Sequence, residues 1–370
     1  MTDAPRRVLV VGGYGQVGAQ ISALMAGRPE LRVRVAGRNE ARSLALAGRI
    51  GAEGIALDID DSSSVERALS GSDVVICCVD QAGPALLLEG AVERGLGYVD
   101  ITARLALWHR ARGLHEHARR TGAWGLIGAG LVPGVANVMA GAGAMDVGAP
   151  AEIETFVQLG VGDSHGPAAI AYMLEAACQS YPRLASGRQV EARSFQERTL
   201  ARLPGEDRAR RWYSFGLPSQ AFYGETLEAA DAATWLALTP GWCQALIAGL
   251  VRVGAWRLLR DAGRRERLAG IIHSAGAHLP AGGDEVALFV RVTGRDGLGS
   301  SYLARGRSEA RLTALSTFCM VEQLLERGGA PPGIWTPEIA IEPARFFSGM
   351  RRAGLEVTQL SSVPKRAAFA

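Results

Sequence analysis

The stretch Arg7-Val8-Leu9-Val10-Val11-Gly12-Gly13-Tyr14-Gly15-Gln16-Val17-Gly18 decides the fold. Its first half is an unbroken, largely β-branched apolar run, the pattern of a strand buried on both faces. Its second half sets Gly13, Gly15 and Gly18 in the G-x-G-x-x-G spacing, and helical spacing then runs from Gly15 to Ala26. In such a strand–turn–helix, the first glycine allows the tight turn. The second lets a pyrophosphate approach the backbone, and the third packs helix against sheet. The helix N-terminus offers free N–H groups and its positive dipole end to an anion. The spacing alone is common; here it opens a βαβ series, which is the context the fingerprint demands.

Outward from this loop, strand and helix patterns alternate. Strands are expected at Leu31–Ala36, Gly54–Leu57, Asp73–Val79, Gly97–Ile101 and Ala123–Ile127. Helices are expected at Asn39–Ile50 with Asn39 as N-cap, Ser62–Ser70, Ala85–Arg94 and Trp108–Thr121. Short turns between them imply a parallel sheet with helices on both faces, an α/β fold.

The end of the second strand selects the nucleotide. A chain that binds NAD places Asp or Glu about twenty residues after the glycines, on the ribose 2′-hydroxyl. This chain has Gly37-Arg38-Asn39 there. Arginine cannot accept from that hydroxyl, but it pairs bidentately with a 2′-phosphate and stacks on adenine. NADP(H) is therefore the expected cofactor, with Tyr14, Gln16, Val17 and Asn39 completing the loop around it. Asp58 and Ile59, at the end of the third strand, are placed to meet the adenine edge. Cys78, Val79 and Asp80 follow the fourth strand, where the chain passes under the dinucleotide. Cys77 reads as core.

After Gly134 the rhythm changes. Val135–Gly143 reads as helix, Glu152–Val161 as strand, Pro167–Tyr181 as helix and Gln189–Phe195 as strand. Leu203–Gly224 reads as irregular and Trp242–Leu259 as a buried helix. Asp284–Thr293 is a strand that turns at Gly294–Gly297 and pairs with Ser300–Gly306 as a hairpin. Ser308–Arg327 is an amphipathic helix stopped by Gly328 and Gly329.

Composition narrows the function classes. The 370 residues are 48% hydrophobic and 21% charged, an ordinary globular balance for about two domains. A net charge of +3 with no basic block or stacking motif argues against a nucleic-acid partner. Of 40 Lys plus Arg, only Lys365 is a lysine. This argues against a Schiff-base lysine and a Gly-Lys-Ser/Thr phosphate loop. A Tyr-x-x-x-Lys dyad would need tyrosine where Ser361 stands. The five cysteines, Cys77, Cys78, Cys178, Cys243 and Cys319, form no C-x-x-C pair, a reduced pattern that suggests the cytoplasm. His115 and His117 flank Glu116 and, two apart on a helix, point to different sides, so they read as surface residues rather than metal ligands. Ala232–Val251 carries no charge over twenty residues, but Pro240 and Gly241 interrupt it, against a spanning helix. A membrane-surface helix followed by the basic Arg260–Arg267 is the lesser alternative.

Several segments together resemble the saccharopine dehydrogenase family, in the branch of NADP-dependent reductases. They are Val11-Gly12-Gly13-Tyr14-Gly15-Gln16-Val17-Gly18, Ala36-Gly37-Arg38-Asn39, Gly97-Tyr98-Val99-Asp100-Ile101-Thr102, Gly130-Leu131-Val132-Pro133-Gly134-Val135-Ala136-Asn137 and Gly333-Ile334-Trp335-Thr336-Pro337-Glu338. The resemblance covers most of the chain and is poor over Arg188–Pro280. It implies a Rossmann dinucleotide-binding domain over 1–134 and a second α/β (α+β) domain over 135–306 for substrate and dimer contacts. It also implies a C-terminal helix and segment, 307–370, that returns to the first. Better-known members reduce an imine formed between an amine and a carbonyl acid, others act on polyamine precursors, and some relatives reduce lipid enoyl groups. Members are often dimers, so a homodimer is expected.

Hydride transfer needs positioning and charge control rather than a protein nucleophile. The catalytic candidates are Asp100, His165 and Tyr223. Asp100 ends the fifth strand near the expected nicotinamide position, where it stabilises an iminium, donates a proton or caps the next loop. His165 lies in the polar loop Asp163-Ser164-His165-Gly166, with an imidazole suited to proton transfer. Thr102, Pro133, Asn137, Tyr213 and Phe222 are the substrate-site candidates, Tyr213 and Phe222 as part of an aromatic cluster with Phe215 and Tyr223. Three classes follow: a reductase of C=N bonds, a non-catalytic NADP sensor, and a membrane-associated lipid enoyl reductase.

Overall fold

A computed structural model describes residues 5–79, 85–102, 104–162, 167–254, 257, 261–276 and 283–360. The chain divides into two compact units: Met1–Val135 with Thr313–Phe346, and Ala136–Leu312 with Phe347–Ala370. The C-terminal stretch is thus shared between the two.

The first unit opens with β1 (Arg6–Val11), α1 (Gln16–Ala26), β2 (Leu31–Gly37), α2 (Glu40–Ile50), β3 (Glu53–Ala56), α3 (Ser62–Leu69) and β4 (Val74–Cys77). It continues with α4 (Leu86–Glu93), β5 (Gly97–Asp100), α5 (Leu105–Gly113), α6 (His115–Thr121) and β6 (Trp124–Ile127). The single helix expected over Trp108–Thr121 is two helices, parted at Leu114 directly after Gly113, a poor helix former.

The chain then runs through α7 (Val135–Val147), β7 (Pro150–Gly160), α8 (Pro167–Cys178), β8 (Ser180–Ala185), β9 (Arg188–Arg193), β10 (Arg198–Ala201) and β11 (Arg210–Ser214). Next come α9 (Ser219–Thr226), β12 (Asp231–Thr239), α10 (Gly241–Arg252), α11 (Ala262–Gly276), β13 (Glu285–Gly294), β14 (Gly299–Arg307) and α12 (Glu309–Glu326). The remainder is β15 (Gly333–Trp335), α13 (Pro337–Ala340), α14 (Pro343–Arg352) and β16 (Glu356–Leu360).

The first unit's sheet has the order β15-β6-β5-β4-β1-β2-β3, parallel throughout. Six of these strands reproduce the doubly wound order, so the carboxyl ends of β1, β2, β4 and β5 share one edge. β15 was not expected as a strand, since three residues show no periodicity. It pairs with Trp124–Leu126 of β6. The Ile334 N–H donates to His115 Nδ1 at 3.1 Å, and the Trp335 ring stands edge-on to the imidazole at 5.2 Å between centroids. His115 is therefore not a plain surface residue; it fastens the edge strand.

The second unit's sheet has the order β10-β11-β12-β7-β13-β14-β16. β12 and β7 are parallel and the other pairs antiparallel. The hairpin β8–β9 stands as a separate pair, turned by Ser186 and Gly187, both at positive φ (51° and 73°) as a type I′ turn requires. The expected hairpin of β13 and β14 is present, with Gly297 at φ +83° in its turn.

One face of this sheet packs around Phe156 of β7. Trp212 lies edge-on to it at 5.2 Å, and Phe289 and Trp235 follow at 5.8 Å and 6.5 Å. Ala201, Leu203, Ala237, Ala287 and Leu303 close the cluster. Phe156→Ala should cost about 3–5 kcal/mol by opening a cavity among rings that cannot collapse onto it. Denaturant unfolding measures this; a loss under about 1 kcal/mol would mean the face repacks.

Two expectations fail in this unit. Leu203–Gly224 is not irregular: it holds β11 and starts α9. The helix expected to be buried over Trp242–Leu259 is α10, Gly241–Arg252, with Trp242, Leu246 and Leu250 exposed. Its uncharged character hid which face would turn outward.

Candidate functional site

The site starts where β1 ends. Gly12, not Gly13, takes the left-handed conformation of the turn, at φ +71°. A Cβ on Gly12 would lie 2.4 Å from Val79 Cγ1, so the glycine loop and the segment after β4 are in contact. A Cβ on Gly13 would press on the Val10 carbonyl at 2.7 Å and Ser22 Oγ at 3.0 Å. One on Gly18 would meet the Gly12 carbonyl oxygen at 2.2 Å, so helix and loop touch through backbone alone. At Gly15, among the described residues, the Cβ would meet only the Gly12 oxygen, at 3.1 Å. Gly15 is also the N-cap of α1 and supplies no side-chain cap, so no cap masks the first-turn amides around Gln16 and Val17. This fits a diphosphate.

Gly12 is a site residue that the G-x-G-x-x-G frame misses. The doubled glycine, Gly12-Gly13, was the available signal.

At the end of β2, a Cβ on Gly37 would lie 2.4 Å from Tyr14 Cε1, so Tyr14 covers this glycine. The Asn39 N–H donates to the Tyr14 hydroxyl at 3.0 Å. Asn39 Oδ1 accepts from the Arg42 N–H at 3.0 Å and caps α2 as expected. The Arg42 guanidinium stacks over the Tyr14 ring, 4.5 Å from its centroid. Arg38 is exposed directly before this cluster. Arg42 went unnoticed in the sequence. A cation in the first turn of a helix opposes the dipole, and that misfit is a signal for an anion nearby.

Asp58 is exposed after β3, and Ile59 is half-buried beside it. Asp58 Oδ1 accepts from the Asp60 N–H at 3.1 Å, and the Asp58 N–H donates to Ser64 Oγ at 3.1 Å. Cys78 and Val79 are half-buried, and the Cys78 N–H donates to the Val11 carbonyl at 2.9 Å. Cys77 is fully buried, as core. Burial pushes both thiols up, with the Asp100 charge adding to it, so neither is a thiolate nucleophile. Asp80 and His165 lie outside the described residues.

Asp100 ends β5 with 0% exposure. Its Oδ2 accepts from the Tyr98 hydroxyl and its Oδ1 from the Thr102 N–H, each at 2.7 Å. It thus caps the following loop. Burial raises its carboxyl above the ordinary 3.8, partly offset by the bonds from Thr102 and Tyr98. The Tyr98 hydroxyl is pushed up too, by burial and then by Asp100. Below pH 3.8 the carboxyl is protonated in both folded and unfolded chains. Above it, the unfolded chain releases the proton that the folded chain keeps, so this group's contribution falls as pH rises until the folded carboxyl also ionises. Asp100→Asn cannot titrate. The stability advantage of the parent over this variant should therefore shrink as pH rises from about 4. A difference that stays flat across pH would refute the raised carboxyl.

Thr102, 9% exposed, follows at once, and its Oγ1 has no hydrogen-bond partner among the described residues. The Thr102 side chain lies beside the Asp100 carboxyl, whose pKa it helps to hold down, at the carboxyl edge of the sheet.

Residues 8–132 match the family model of the saccharopine dehydrogenase NADP-binding domain. The first unit carries a saccharopine dehydrogenase NADP-binding domain. Over the whole chain the fold is similar to apo saccharopine dehydrogenase (L-Glu forming) from Saccharomyces cerevisiae. The TM-score is 0.68 at 17% identity, over 96% of this chain and 100% of that one. The C. glutamicum DAP dehydrogenase in complex with DAP is less similar, with a TM-score of 0.47 at 16% identity over 93% and 96% of the two chains. The family resemblance, the α/β fold with a second sheet domain and the NADP-binding assignment are thereby borne out.

A cavity of about 1170 Å³ in the saccharopine dehydrogenase-type unit is lined by Arg6, Leu31, Gly97 and Trp124 among others. These begin β1, β2, β5 and β6, so it lies at the amino edge of the sheet, opposite the glycine loop. Doubly wound sheets bind nucleotides at the carboxyl edge. Pro133 is buried ahead of Gly134 in the same unit.

In the second unit, Asn137 is fully buried and its Oδ1 accepts from Ser219 Oγ at 3.0 Å, tying α7 to α9. Tyr213 packs on Phe195 at 5.5 Å between centroids, and Phe215 meets the same ring edge-on at 6.2 Å. Phe222 and Tyr223 are buried on α9. Among the described residues no group of His, Cys, Asp and Glu could hold a metal, and no helix is long and apolar enough to cross a membrane.

Proposed function

We propose that this chain is an NADP(H)-dependent reductase acting on an imine or iminium formed between an amine and a carbonyl compound. The observation that carries the reading is the uncapped glycine loop joined through Tyr14 to Asn39 and Arg42, with Arg38 exposed next in sequence, inside a domain of the NADP-binding family. When bound, NADP(H) supplies the hydride. The α1 amides hold the diphosphate, Arg38 and Arg42 hold the 2′-phosphate, and the Tyr14 platform sets Arg42.

The acceptor carbon takes the hydride, and its nitrogen takes a proton unless it arrives as an iminium. Asp100 is assigned to charge: its buried carboxyl acts through Thr102 and the loop it caps. Thr102 Oγ1 is assigned to a polar group of cofactor or substrate. His165 is the proposed proton donor. Asn137, Tyr213, Phe222 and Tyr223 are the proposed substrate lining in the second unit, with Pro133 at the end of the first. The reading includes a cytoplasmic homodimer.

The test is a side-by-side titration with NADPH and NADH, followed by NADPH oxidation over a panel of amine and carbonyl pairs. NADPH preference with oxidation of some pair supports the reading. NADPH binding without turnover on any pair favours a sensor, and binding of neither nucleotide ends the proposal.

A further inference from the structure

α10 is turned inside out for a helix on a protein surface. Its buried residues are Gln244 and Ala248. The Gln244 carboxamide holds it down: Oε1 accepts from the Leu238 N–H at 2.8 Å, and Nε2 donates to the Arg211 carbonyl at 2.9 Å. The large apolar side chains face outward. Trp242, Leu246 and Leu250 recur every four residues and Val253 follows three later, at 57%, 58%, 47% and 79% exposure. An ordinary amphipathic helix buries such a stripe.

The described charges on α10 and in the stretch that follows it are mostly positive. α10 contains no Asp or Glu. Arg252 ends it exposed, and Arg257, Arg264 and Arg267 are exposed in the stretch that follows, against Asp261 and Glu266. Twelve residues make a helix about 18 Å long, too short for a hydrocarbon core of about 30 Å.

We propose that α10 docks flat on an anionic phospholipid surface, with Trp242, Leu246, Leu250 and Val253 at the headgroup–acyl boundary and the arginines on lipid phosphates. Charge complementarity selects this occupant. A bilayer containing acidic lipid accepts both the stripe and the excess of exposed arginines, Arg252, Arg257, Arg264 and Arg267 against Asp261 and Glu266, that ends and follows it. The inference concerns location and is separate from the reductase reading.

The experiment is cosedimentation of the full chain with vesicles of phosphatidylcholine plus phosphatidylglycerol, and with phosphatidylcholine alone. The chain should pellet with the acidic vesicles and release at high salt. Leu246→Ser with Leu250→Ser should lower the partition coefficient at least about 10-fold, since both side chains lose their apolar burial. Arg252→Glu should weaken binding to acidic vesicles only. Unchanged NADPH binding or far-ultraviolet circular dichroism shows that the variants are folded. Absence of vesicle binding overturns the proposal, as does binding that the serine variants leave intact. A solution dimer that those variants dissociate, with no vesicle binding, also overturns it and assigns the stripe to a second copy.

Discussion

Arg38→Asp should weaken NADPH binding about 30- to 100-fold and change NADH binding by no more than about 3-fold. A charge-assisted pair between guanidinium and phosphate is among the strong polar contacts, and arginine forms it bidentately. The substitution removes that pair and sets a carboxylate against the 2′-phosphate. A 100-fold loss corresponds to about 2.7 kcal/mol. Arg38 is exposed, so salt should reduce the effect. NADH lacks the 2′-phosphate, and an aspartate here accepts from its ribose hydroxyl, which offsets any loss. Arg42→Ala should show the same preference at smaller size, because the Tyr14 platform remains. Titrations of both nucleotides at two salt concentrations decide this. Equal losses for NADPH and NADH would remove Arg38 from the phosphate site.

Gly134→Ala should be the most destabilising of single methyl additions to the motif glycines. Gly134 sits at φ +139°, and a Cβ there would lie 1.7 Å from the Gly130 carbonyl oxygen and 2.3 Å from its carbon. Both partners are backbone, in the turn between β6 and α7. Ser316 Oγ also donates to the Gly130 carbonyl at 2.8 Å, so the turn cannot open without breaking that buried bond. Overpacking costs about 1–3 kcal/mol, and strained backbone adds about 1–3 more. Against a total of about 5–15 kcal/mol, that is enough to lower expression or unfold the first unit. Gly113→Ala is the control. Gly113 closes α5 with nothing within 4 Å of its would-be Cβ, so alanine there should be neutral or stabilise by up to about 1 kcal/mol. Thermal unfolding compares the two, and equal midpoints would refute the steric account.

Much of the first unit was legible because its signals are local. A strand buried on both faces needs an apolar run, a phosphate loop needs glycines at fixed spacing, and Asn39 at the start of α2 needs only its own turn. The NADP(H) assignment was legible for the same reason, being read from neighbouring residues at the end of β2. The less visible parts depend on distant partners. β15 is three residues made into a strand by β6, and His115 became its fastening only when Ile334 and Trp335 arrived from more than two hundred positions away. Gly12 has no room for a side chain because Val79 closes on it from beyond β4.

The second unit shows the same division more sharply. Its β13–β14 hairpin could be read from alternation and a glycine turn. β12 could not, because a central strand flanked by β11 and β7 shows only a run of small and apolar residues. α10 is the clearest case. Its composition established that the segment is apolar and uncharged, which holds for a buried helix and for an exposed stripe alike. Which face turns inward was settled by Gln244, whose carboxamide finds backbone partners on β12 and β11 and so rotates Trp242, Leu246 and Leu250 to the surface. Chain order sets which residues are neighbours within a turn or a pleat, and so the α/β class and the nucleotide loop follow from it directly. Burial, the raised Asp100 carboxyl and the outward face of α10 are properties of what surrounds a residue, and those surroundings exist only once the strands and helices have packed.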